Sequence, residues 1–310
     1  MKAVWSFWSR PYQGRKGRSW RGPQDHMFAW GLSLELARRH YPDTVLVTDT
    51  PGKKLLVDRL GLVFGEVSTE LDRLRDADPG WWALGKLVAY SIQSEPFVHL
   101  DTDVFLWRPL PVWLTSAPVF VQCPEHHAFG RERCDPRQVA MLFERHGLSL
   151  PAEWDWAVSQ AGATFREESC GILGGNRVDF VRYYAQASID LVMNPAHAGA
   201  WAEVENKDGF NMLVEQFWLA ACGNYHSYAP ESPFRGVRIA HLFPSMDEAF
   251  NPAAAARVGF THLLGDSKAH PEISARLERR VAEIDPLLHR RCLRVAQSPM
   301  GAGVRGAAPL

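Results

Sequence analysis

The feature that most constrains the fold is an alternation of strand-like and helix-like segments over the first hundred residues. Four short apolar or β-branched runs predict strands, at residues 3–8, 44–49, 62–68 and 97–101. Helical periodicity occurs between these runs. Between the first and the second run, Phe28, Leu32 and Leu36 recur every four residues. Strands separated by helices predict a mostly parallel sheet with right-handed crossovers and helices on its faces. The chain is therefore predicted to have an α/β fold.

The second half of the chain is less regular, but it continues as one unit. Helices are predicted near residues 136–146, 177–193, 208–222 and 271–284. Strands are predicted near residues 119–122, 170–174, 237–243 and 259–264. Since no linker divides the halves, we expect a single domain over residues 1–297, followed by a disordered tail at 298–310.

Composition excludes several classes of function. Lys and Arg total 34 against 35 Asp and Glu, so no global field favours nucleic acid or an anionic membrane. The first apolar run covers about six residues, too few for a signal peptide, and no later stretch is long enough for a transmembrane segment. Five cysteines, odd in number and widely spaced, favour reduced thiols over a disulfide framework. These observations predict a cytoplasmic protein that does not bind nucleic acid.

Two aspartates, Asp101 and Asp103, follow the fourth predicted strand in "FVHLDTDVFLWRPLP". Sheets of this kind bind ligands beyond the carboxyl ends of their strands. Carboxylates one residue apart at a strand end can share a hard divalent cation such as Mg²⁺ or Mn²⁺. The alternative is a solvated surface turn, but the apolar segments on both sides of the pair favour a buried approach and a functional role.

Two motifs together carry a family resemblance. "HLDTDVF" resembles the Asp-x-Asp element of nucleotide-sugar glycosyltransferases of the GT-A fold. Further along, "HLLGDSK" places His262, Gly265 and Lys268 in the spacing HxxGxxK, which resembles the C-terminal motif of the glycogenin-like retaining transferases, family 8. The resemblance implies a GT-A-like, Rossmann-type mixed sheet, with a nucleotide-binding half at about 1–122 and an acceptor-side half at about 123–297.

Two partial matches lie between these motifs in the family order. "ESCGIL" resembles the acceptor-side Asn-small-Gly segment, with Ser169 in place of Asn, and "EQFWL" resembles the Asp-Gln element, with Glu215 in place of Asp. After the lysine of the last motif, Ala269 and His270 stand where the family has Pro-Trp. The resemblance covers roughly residues 1–270.

The resemblance implies a metal-dependent transfer of a sugar from a nucleotide-sugar donor, most often a UDP-sugar, with Mn²⁺ or Mg²⁺ as cofactor. Asp103 would be the principal carboxylate ligand of the metal, and Asp101 would share the metal or hold the ribose. His262 would complete the protein ligands. Gly265 would let backbone approach phosphate, and Lys268 would neutralise the diphosphate.

The same resemblance assigns roles to three further residues. Lys86 is expected to contact the donor, with a solvated helix lysine as the alternative. Gln216 is expected near the anomeric carbon on the acceptor side, and Glu215 is expected to bond a donor hydroxyl, with a structural pair on a helix as the alternative. Family 8 enzymes retain the anomeric configuration, so the leaving phosphate can accept the proton of the acceptor. The acceptor itself, a glycan, a protein or a small molecule, is not predicted.

The N-terminal segment "SRPYQGRKGRSWRG" is rich in Gly, Arg and Pro and is predicted to be a loop. It follows the first strand, where the GT-A fold implied by the resemblance binds base and ribose. Tyr12 is the candidate for stacking on a uracil, and four basic residues are candidates for phosphate or an acidic acceptor: Arg15, Lys16, Arg18 and Arg21. A solvated loop is the alternative.

Three other functions remain open from the sequence. "GDSK" after an Asp-x-Asp strand end also resembles haloacid dehalogenase-like phosphatases, but His270 stands where those enzymes have a further aspartate. A catalytically silent carbohydrate-binding protein on the same fold would also use the many aromatic residues. "CPEHHAFGRERC" contains Cys123, His126, His127 and Cys134 and could in principle hold a structural zinc, but it matches no common zinc spacing.

Overall fold

A computed structural model describes residues 1–14, 20–131 and 134–297 of the chain. Within these ranges the strands are β1 (Lys2–Phe7), β2 (Thr44–Thr48), β3 (Glu66–Ser68), β4 (Phe97–Leu100), β5 (Val104–Leu106), β6 (Val119–Val121), β7 (Pro124–Ala128), β8 (Thr164–Glu168), β9 (Ile172–Gly175), β10 (Ile239–His241) and β11 (Phe260–His262).

The helices of the described ranges connect these strands. They are α1 (Ser9–Gln13), α2 (Pro23–Ala37), α3 (Thr50–Lys53), α4 (Leu84–Ser91), α5 (Val112–Thr115), α6 (Pro136–Arg145), α7 (Ala152–Gln160), α8 (Val178–Met193), α9 (Ala198–Ala202), α10 (Asp208–Met212), α11 (Trp218–Tyr228), α12 (Met246–Phe250), α13 (Pro252–Val258), α14 (Pro271–Ile284) and α15 (Pro286–Ala296). Short 3₁₀ turns lie at Glu70–Leu74, Pro195–His197 and Gly265–Ala269, and π-helical turns at Lys54–Arg59 and Leu213–Phe217.

Seven strands form the main sheet, in the order β3-β2-β1-β4-β9-β6-β10. The first four are parallel to one another, β9 runs antiparallel to both β4 and β6, and β10 is parallel to β6. The chain winds from β1 outward to β3 and then returns to place β4 on the other side of β1. The predicted mixed, mostly parallel α/β sheet is confirmed.

Helices cover both faces of the main sheet, and each face has its own apolar core. Alternate side chains of β1 point to opposite cores, with Val4 on one side and Trp5 on the other. The first core includes α4, α8 and α11, and the second includes α2, α14 and α15. Because both faces of the sheet are covered, its open positions lie at the strand ends.

Two antiparallel ribbons extend beyond the main sheet. One pairs β5 with β11, and the other pairs β7 with β8. Both β5 and β7 follow closely after a strand of the main sheet, β4 and β6 respectively. The ribbons therefore begin at the carboxyl edge of the sheet, where ligands bind in α/β folds.

Several helices predicted from periodicity are confirmed. The segments at 136–146, 177–193 and 271–284 form α6, α8 and α14, and the segment at 208–222 forms one longer helical stretch that includes a π-helical turn. The strand predicted at 62–68 is wrong in length, since only β3 (Glu66–Ser68) pairs.

The prediction of a loop after the first strand is wrong in part, because Ser9–Gln13 forms the short helix α1. The backbone N–H and the hydroxyl of Ser9 both donate to the buried carboxylate of Asp49, which anchors the start of this helix to the end of β2. Such a contact between distant residues leaves no local signal in the sequence. The predicted disordered tail at 298–310 lies outside the described residues.

No helix in the described ranges is both long enough and apolar enough to cross a membrane. All five cysteines lie within those ranges, and each is buried with a free thiol. This agrees with the expectation of reduced thiols.

We predict that Gly174 sets the close approach of β9 to β4. A Cβ atom at this position would lie 2.2 Å from the backbone oxygen of Phe97 and 2.9 Å from the Cα of Val98. Gly174→Ala should therefore lower the free energy of unfolding by about 1–3 kcal/mol, as overpacking does elsewhere. Urea denaturation measures the change. Gly162→Ala is the control, because a Cβ there meets no atom within 4 Å; equal effects of the two substitutions would contradict the prediction.

Candidate functional site

A cavity of about 220 Å³ opens at the carboxyl edge of the main sheet, over the ends of β1 and β4. Strand order reverses between these two strands, because β1 leads to β2 on one side while β4 lies on the other. Ligands of doubly wound sheets bind at such a reversal point. The lining includes the end of β1, α1, the start of α2, α4 and the residues after β4, and it contains Tyr12, Lys86, Asp101, Asp103 and Lys268.

Three residues at this edge converge as potential metal ligands. One oxygen each of Asp101 and Asp103 and one ring nitrogen of His262 lie within 4.8 Å of one another. His262 Nε2 lies 3.4 Å from Asp103 Oδ1. Two carboxylates and an imidazole form a donor set that suits Mn²⁺. The three residues predicted to hold a metal are thus brought together, although about 160 residues separate the imidazole from the aspartates.

The β5–β11 ribbon accounts for this convergence. His262 pairs with Val104, the first residue of β5, directly after the two aspartates. The N–H of Leu263 donates to the carbonyl of Asp103 at 3.0 Å, which extends the ladder to the site. The antiparallel register therefore fixes which residue of β11 lies beside Asp103.

The orientation of the His262 ring depends on two neighbours. Its Nδ1 lies 2.6 Å from the Oε1 of Gln122, an acceptor, so the ring donates there through Nδ1–H, and Nε2 is the ring nitrogen on the side of Asp103. Gly171 makes room for this arrangement, since a Cβ there would lie 2.4 Å from His262 Nδ1 and 2.5 Å from Gln122 Oε1. Gln122 and Gly171 are therefore positioning residues for the imidazole.

Lys86 lies between Asp101 at the cavity and the fully buried Glu215. Its ammonium lies 3.0 Å from Asp101 Oδ1 and 2.7 Å from Glu215 Oε1, and it donates to the carbonyl of Cys170 at 3.1 Å. Burial alone would lower the pKa of Lys86, but the carboxylates of Asp101 and Glu215 raise it well above its usual value. Lys86 is therefore a fixed positive charge at any physiological pH.

Lys268 balances the charge of Asp103, as Lys86 balances that of Asp101. Its ammonium forms an ion pair with Asp103 Oδ2. Burial alone would raise the pKa of the Asp103 carboxyl, but the adjacent His262 and Lys268 lower it far below its usual range. The same ammonium lies 5.8 Å from the ring centroid of Trp20, which lines the cavity. Asp103 therefore remains a carboxylate at any physiological pH.

The site carries three carboxylates and two ammonium groups. Asp101, Asp103 and Glu215 are balanced by Lys86 and Lys268, which leaves one net negative charge. Burial raises the pKa of Asp101 and of Glu215, and Lys86 opposes both shifts. A divalent cation would reverse the sign of this net charge and make the cavity attractive to an anion.

The remaining predicted site residues differ in their placement. Tyr12 lines the cavity, and its ring lies 4.9 Å from the ring of His26. Gly265 has a φ of +50°, in the left-handed region, and a Cβ there would meet open space. Glu215 is fully buried, and Gln216 lies beside it with 7% of its surface exposed. Neither Glu215 nor Gln216 lines the described cavity.

Glu215 and Gln216 lie in the π-helical turn Leu213–Phe217, between α10 and α11. The carboxylate of Glu215 accepts from Lys86 and from the hydroxyl of Tyr90, at 2.7 and 3.1 Å. Single π-helical turns inside longer helices occur frequently at functional sites. The contacts indicate that Glu215 holds Lys86 in place beneath Asp101.

The remaining sequence candidates are the basic residues of the N-terminal segment and the two cysteines of the segment at 123–134. Arg15, Lys16 and Arg18 lie outside the described residues. Arg21 is exposed, and its backbone N–H donates to the carbonyl of Lys268 at 3.4 Å. Within the described part of the chain, Cys123 and Cys134 join no group of potential metal ligands.

Sequence reasoning missed several cavity residues. They are mostly aromatic: Trp8, Trp20, His26, Trp82 and His99. His99 Nε2 forms a hydrogen bond of 3.0 Å with the hydroxyl of Ser6, and burial together with Lys86 lowers the pKa of His99 well below its usual value. His99 lies two residues before Asp101, and side chains two residues apart in a strand point to the same face. This spacing is the sequence signal that could have identified His99 as a residue of the cavity.

Comparison with known proteins identifies the family of the chain but no activity. The chain matches the Family of unknown function (DUF6734) over residues 1–295, and it belongs to this family. No curated protein matches the chain.

We predict that Lys86 and Glu215 are energetically coupled. Lys86→Met leaves the fully buried Glu215 carboxylate without its cation, so the free energy of unfolding should fall by about 3–5 kcal/mol. The double variant Lys86→Met/Glu215→Gln should recover at least half of this loss, measured by urea denaturation. Lys2→Met is the control, because its pair with Glu95 is largely exposed and worth about 1 kcal/mol or less. Additive losses in the double variant would contradict the coupling.

We also predict that Lys268 competes with a metal ion for Asp103. Lys268→Met should raise the affinity of the protein for Mn²⁺ roughly tenfold, because it removes the cation paired with Oδ2 of Asp103. Electron paramagnetic resonance of free Mn²⁺ measures the binding. Lys53→Met, an exposed lysine on α3, should leave the affinity unchanged. Weaker Mn²⁺ binding by Lys268→Met would show that the lysine does not occupy the place of the ion.

Proposed function

We propose that the protein is a metal-dependent glycosyltransferase that takes a sugar from a nucleotide-sugar donor, with a UDP-sugar as the expected donor. One observation carries the proposal. Asp101, Asp103 and His262 offer ligand atoms within 4.8 Å of one another beside Lys268, at an open cavity on the carboxyl edge of the sheet. These are the residues that the resemblance to family 8 assigns to the metal and the diphosphate.

The strand order supports this proposal at the level of architecture. Strands β3, β2, β1 and β4 form the parallel 3-2-1-4 arrangement of doubly wound nucleotide-binding sheets, and the cavity lies at the reversal between β1 and β4. A GT-A-like fold is part of the proposal. It rests on this order together with the Asp-x-Asp element directly after β4.

The lining of the cavity suits a nucleoside diphosphate. Tyr12, Trp20 and His26 offer aromatic surfaces near the end of β1 for a base, and the rings of Tyr12 and His26 lie 4.9 Å apart. Lys268, whose ammonium lies 5.8 Å from the ring centroid of Trp20, offers a compact positive charge for the diphosphate beside these rings. Aromatic and cationic walls in one cavity favour a nucleotide over a free sugar.

The chemical requirement is to stabilise negative charge that grows on the leaving diphosphate. A bound Mn²⁺ or Mg²⁺ would supply Lewis-acid stabilisation of the diphosphate oxygens. Lys268 would exchange its contact with Asp103 for one with phosphate, which adds a second positive charge on the leaving group. Lys86, held by Glu215 and the carbonyl of Cys170, would fix Asp101 in its ligand position. Retention of configuration follows from the family 8 resemblance.

Glu215 and Gln216 take different parts in this proposal. Glu215 has no exposed surface, so we assign it a positioning role through Lys86 in place of direct contact with a donor hydroxyl. Gln216 is also nearly buried and does not line the cavity, and its Oε1 makes no hydrogen bond within the described part of the chain. A role for Gln216 near the anomeric carbon is therefore proposed from the family 8 resemblance alone. The five free thiols favour a reducing compartment, and cytoplasmic location is part of the proposal.

We predict that Asp103→Asn abolishes metal-dependent turnover. The purified protein is incubated with Mn²⁺ and a panel of nucleotide sugars, and release of free nucleotide by slow donor hydrolysis is measured. The wild type should hydrolyse one donor in preference, and Asp103→Asn should lower this rate at least a hundredfold, because one carboxylate ligand loses its charge. Donor hydrolysis would also identify the sugar.

Asp266→Asn is the matched control, since Asp266 is an exposed residue within the same HxxGxxK segment and should leave the rate unchanged. A phosphatase substrate, p-nitrophenyl phosphate, is tested in parallel. Its hydrolysis without donor turnover would favour the haloacid dehalogenase-like alternative. Mn²⁺-dependent binding of donor with no turnover would favour a silent carbohydrate-binding protein, and normal turnover by Asp103→Asn would remove this residue from the mechanism.

A further inference from the structure

A second group of potential metal ligands lies on the β7–β8 ribbon. We call it the ribbon cluster: Glu125, His127 and Glu167. Glu125 pairs directly with Glu167 in the antiparallel register, and His127 lies two residues after Glu125 on the same face of β7. All three side chains therefore project from one face of the ribbon. None of these residues belongs to the proposed nucleotide-sugar site.

The distances within the ribbon cluster fit a shared ion. His127 Nε2 lies 3.3 Å from Glu167 Oε2 and 3.8 Å from Glu125 Oε2, and the three ligand atoms lie within 4.8 Å of one another. Ligands about 2.1 Å from one cation are separated by roughly 3–3.5 Å in tetrahedral or octahedral geometry. The atoms therefore need to move by little to bind one ion.

Packing fixes the imidazole of the ribbon cluster. The ring of His127 lies 5.4 Å from that of Phe165, its direct partner across the ribbon, and Phe165 is buried. Glu167 retains only 6% of its surface exposed. The ligand atoms are thus presented on a rigid two-stranded scaffold with limited access to water, as a preorganised metal site requires.

The charge of the ribbon cluster also requires a partner. Two carboxylates directly opposite each other in an antiparallel pair repel, and limited solvent access strengthens this repulsion. A protonated His127 would neutralise only one of the two carboxylates, whereas a divalent cation neutralises both.

We propose that Glu125, His127 and Glu167 bind a second divalent transition-metal ion. The donor set of one imidazole nitrogen and two carboxylates suits Zn²⁺ or Mn²⁺ and leaves at least one coordination position open. The thiols of the surrounding "CPEHHAFGRERC" segment are not among these ligands. The ion binds to the ribbon that begins two residues after Gln122, the residue that orients His262.

The test uses the full chain and the metal alone. In isothermal titration with Mn²⁺ and, separately, with Zn²⁺, the wild type should bind two equivalents of at least one of these ions. Asp103→Asn, which removes a ligand of the first site, should retain one equivalent. Adding Glu167→Gln on the Asp103→Asn background should weaken the remaining site at least tenfold. The bound ion should also raise the melting temperature of Asp103→Asn but not that of the double variant.

His126→Gln on the Asp103→Asn background is the matched control. His126 is exposed on the opposite face of the same strand, so its loss should leave the remaining site unchanged. Glu125→Gln provides a second ligand variant if Glu167→Gln fails to fold, as judged by circular dichroism.

The outcomes separate this proposal from the proposed transferase site. If Asp103→Asn binds neither ion, or if both ligand variants bind as tightly as their Asp103→Asn parent, the ribbon cluster is not a metal site. If the wild type binds one equivalent that survives Asp103→Asn and is lost with Glu167→Gln, the ribbon site stands and the first metal site fails.

Discussion

The structure depends on how its buried carboxylates are compensated at the carboxyl edge of the sheet. Asp103 and Glu215 are almost completely buried, and each contacts a lysine ammonium. Lys86 also contacts Asp101, so one cation joins a strand end to a helix in the core. Without these cations, the desolvation of the carboxylates would oppose folding. The same charges that permit burial make the cavity suited to a divalent cation and an anionic ligand.

Two local irregularities give this network its geometry. The antiparallel β5–β11 ribbon brings His262 beside Asp103, and the π-helical turn around Glu215 directs a carboxylate toward Lys86. Neither feature contributes to the main sheet, whose order could be built without them. The regular α/β scaffold therefore places the two aspartates at the end of β4, and the irregular elements bring His262 and Glu215 to their positions beside this edge.

Much of the scaffold could be predicted from the sequence, because strand runs and helical periodicity are local signals. The sequence also predicted that Asp101 lies at a strand end and that the "HLDTDVF" and "HLLGDSK" motifs belong to one site. The β7–β8 ribbon was missed because "PEHHA" and "TFREE" are polar and show no apolar alternation. The contact of Lys86 with Glu215 and the contact of Gln122 with His262 join distant residues, and no spacing in a single sequence reveals such pairs. The role of Gly171 depends on the same tertiary contact.

The late position of β11 in the chain has a consequence for biosynthesis. At ribosomal rates of about 5–20 residues per second, His262 and Lys268 emerge roughly 8–30 s after the aspartates they contact. During this interval Asp101 already has Lys86 beside it in the chain, whereas Asp103 lacks both of its later neighbours. A ribosome-bound fragment that ends before β11 would therefore leave Asp103 without its cation and β5 without its pairing partner, and such an unpaired strand can pair with other chains until translation is complete.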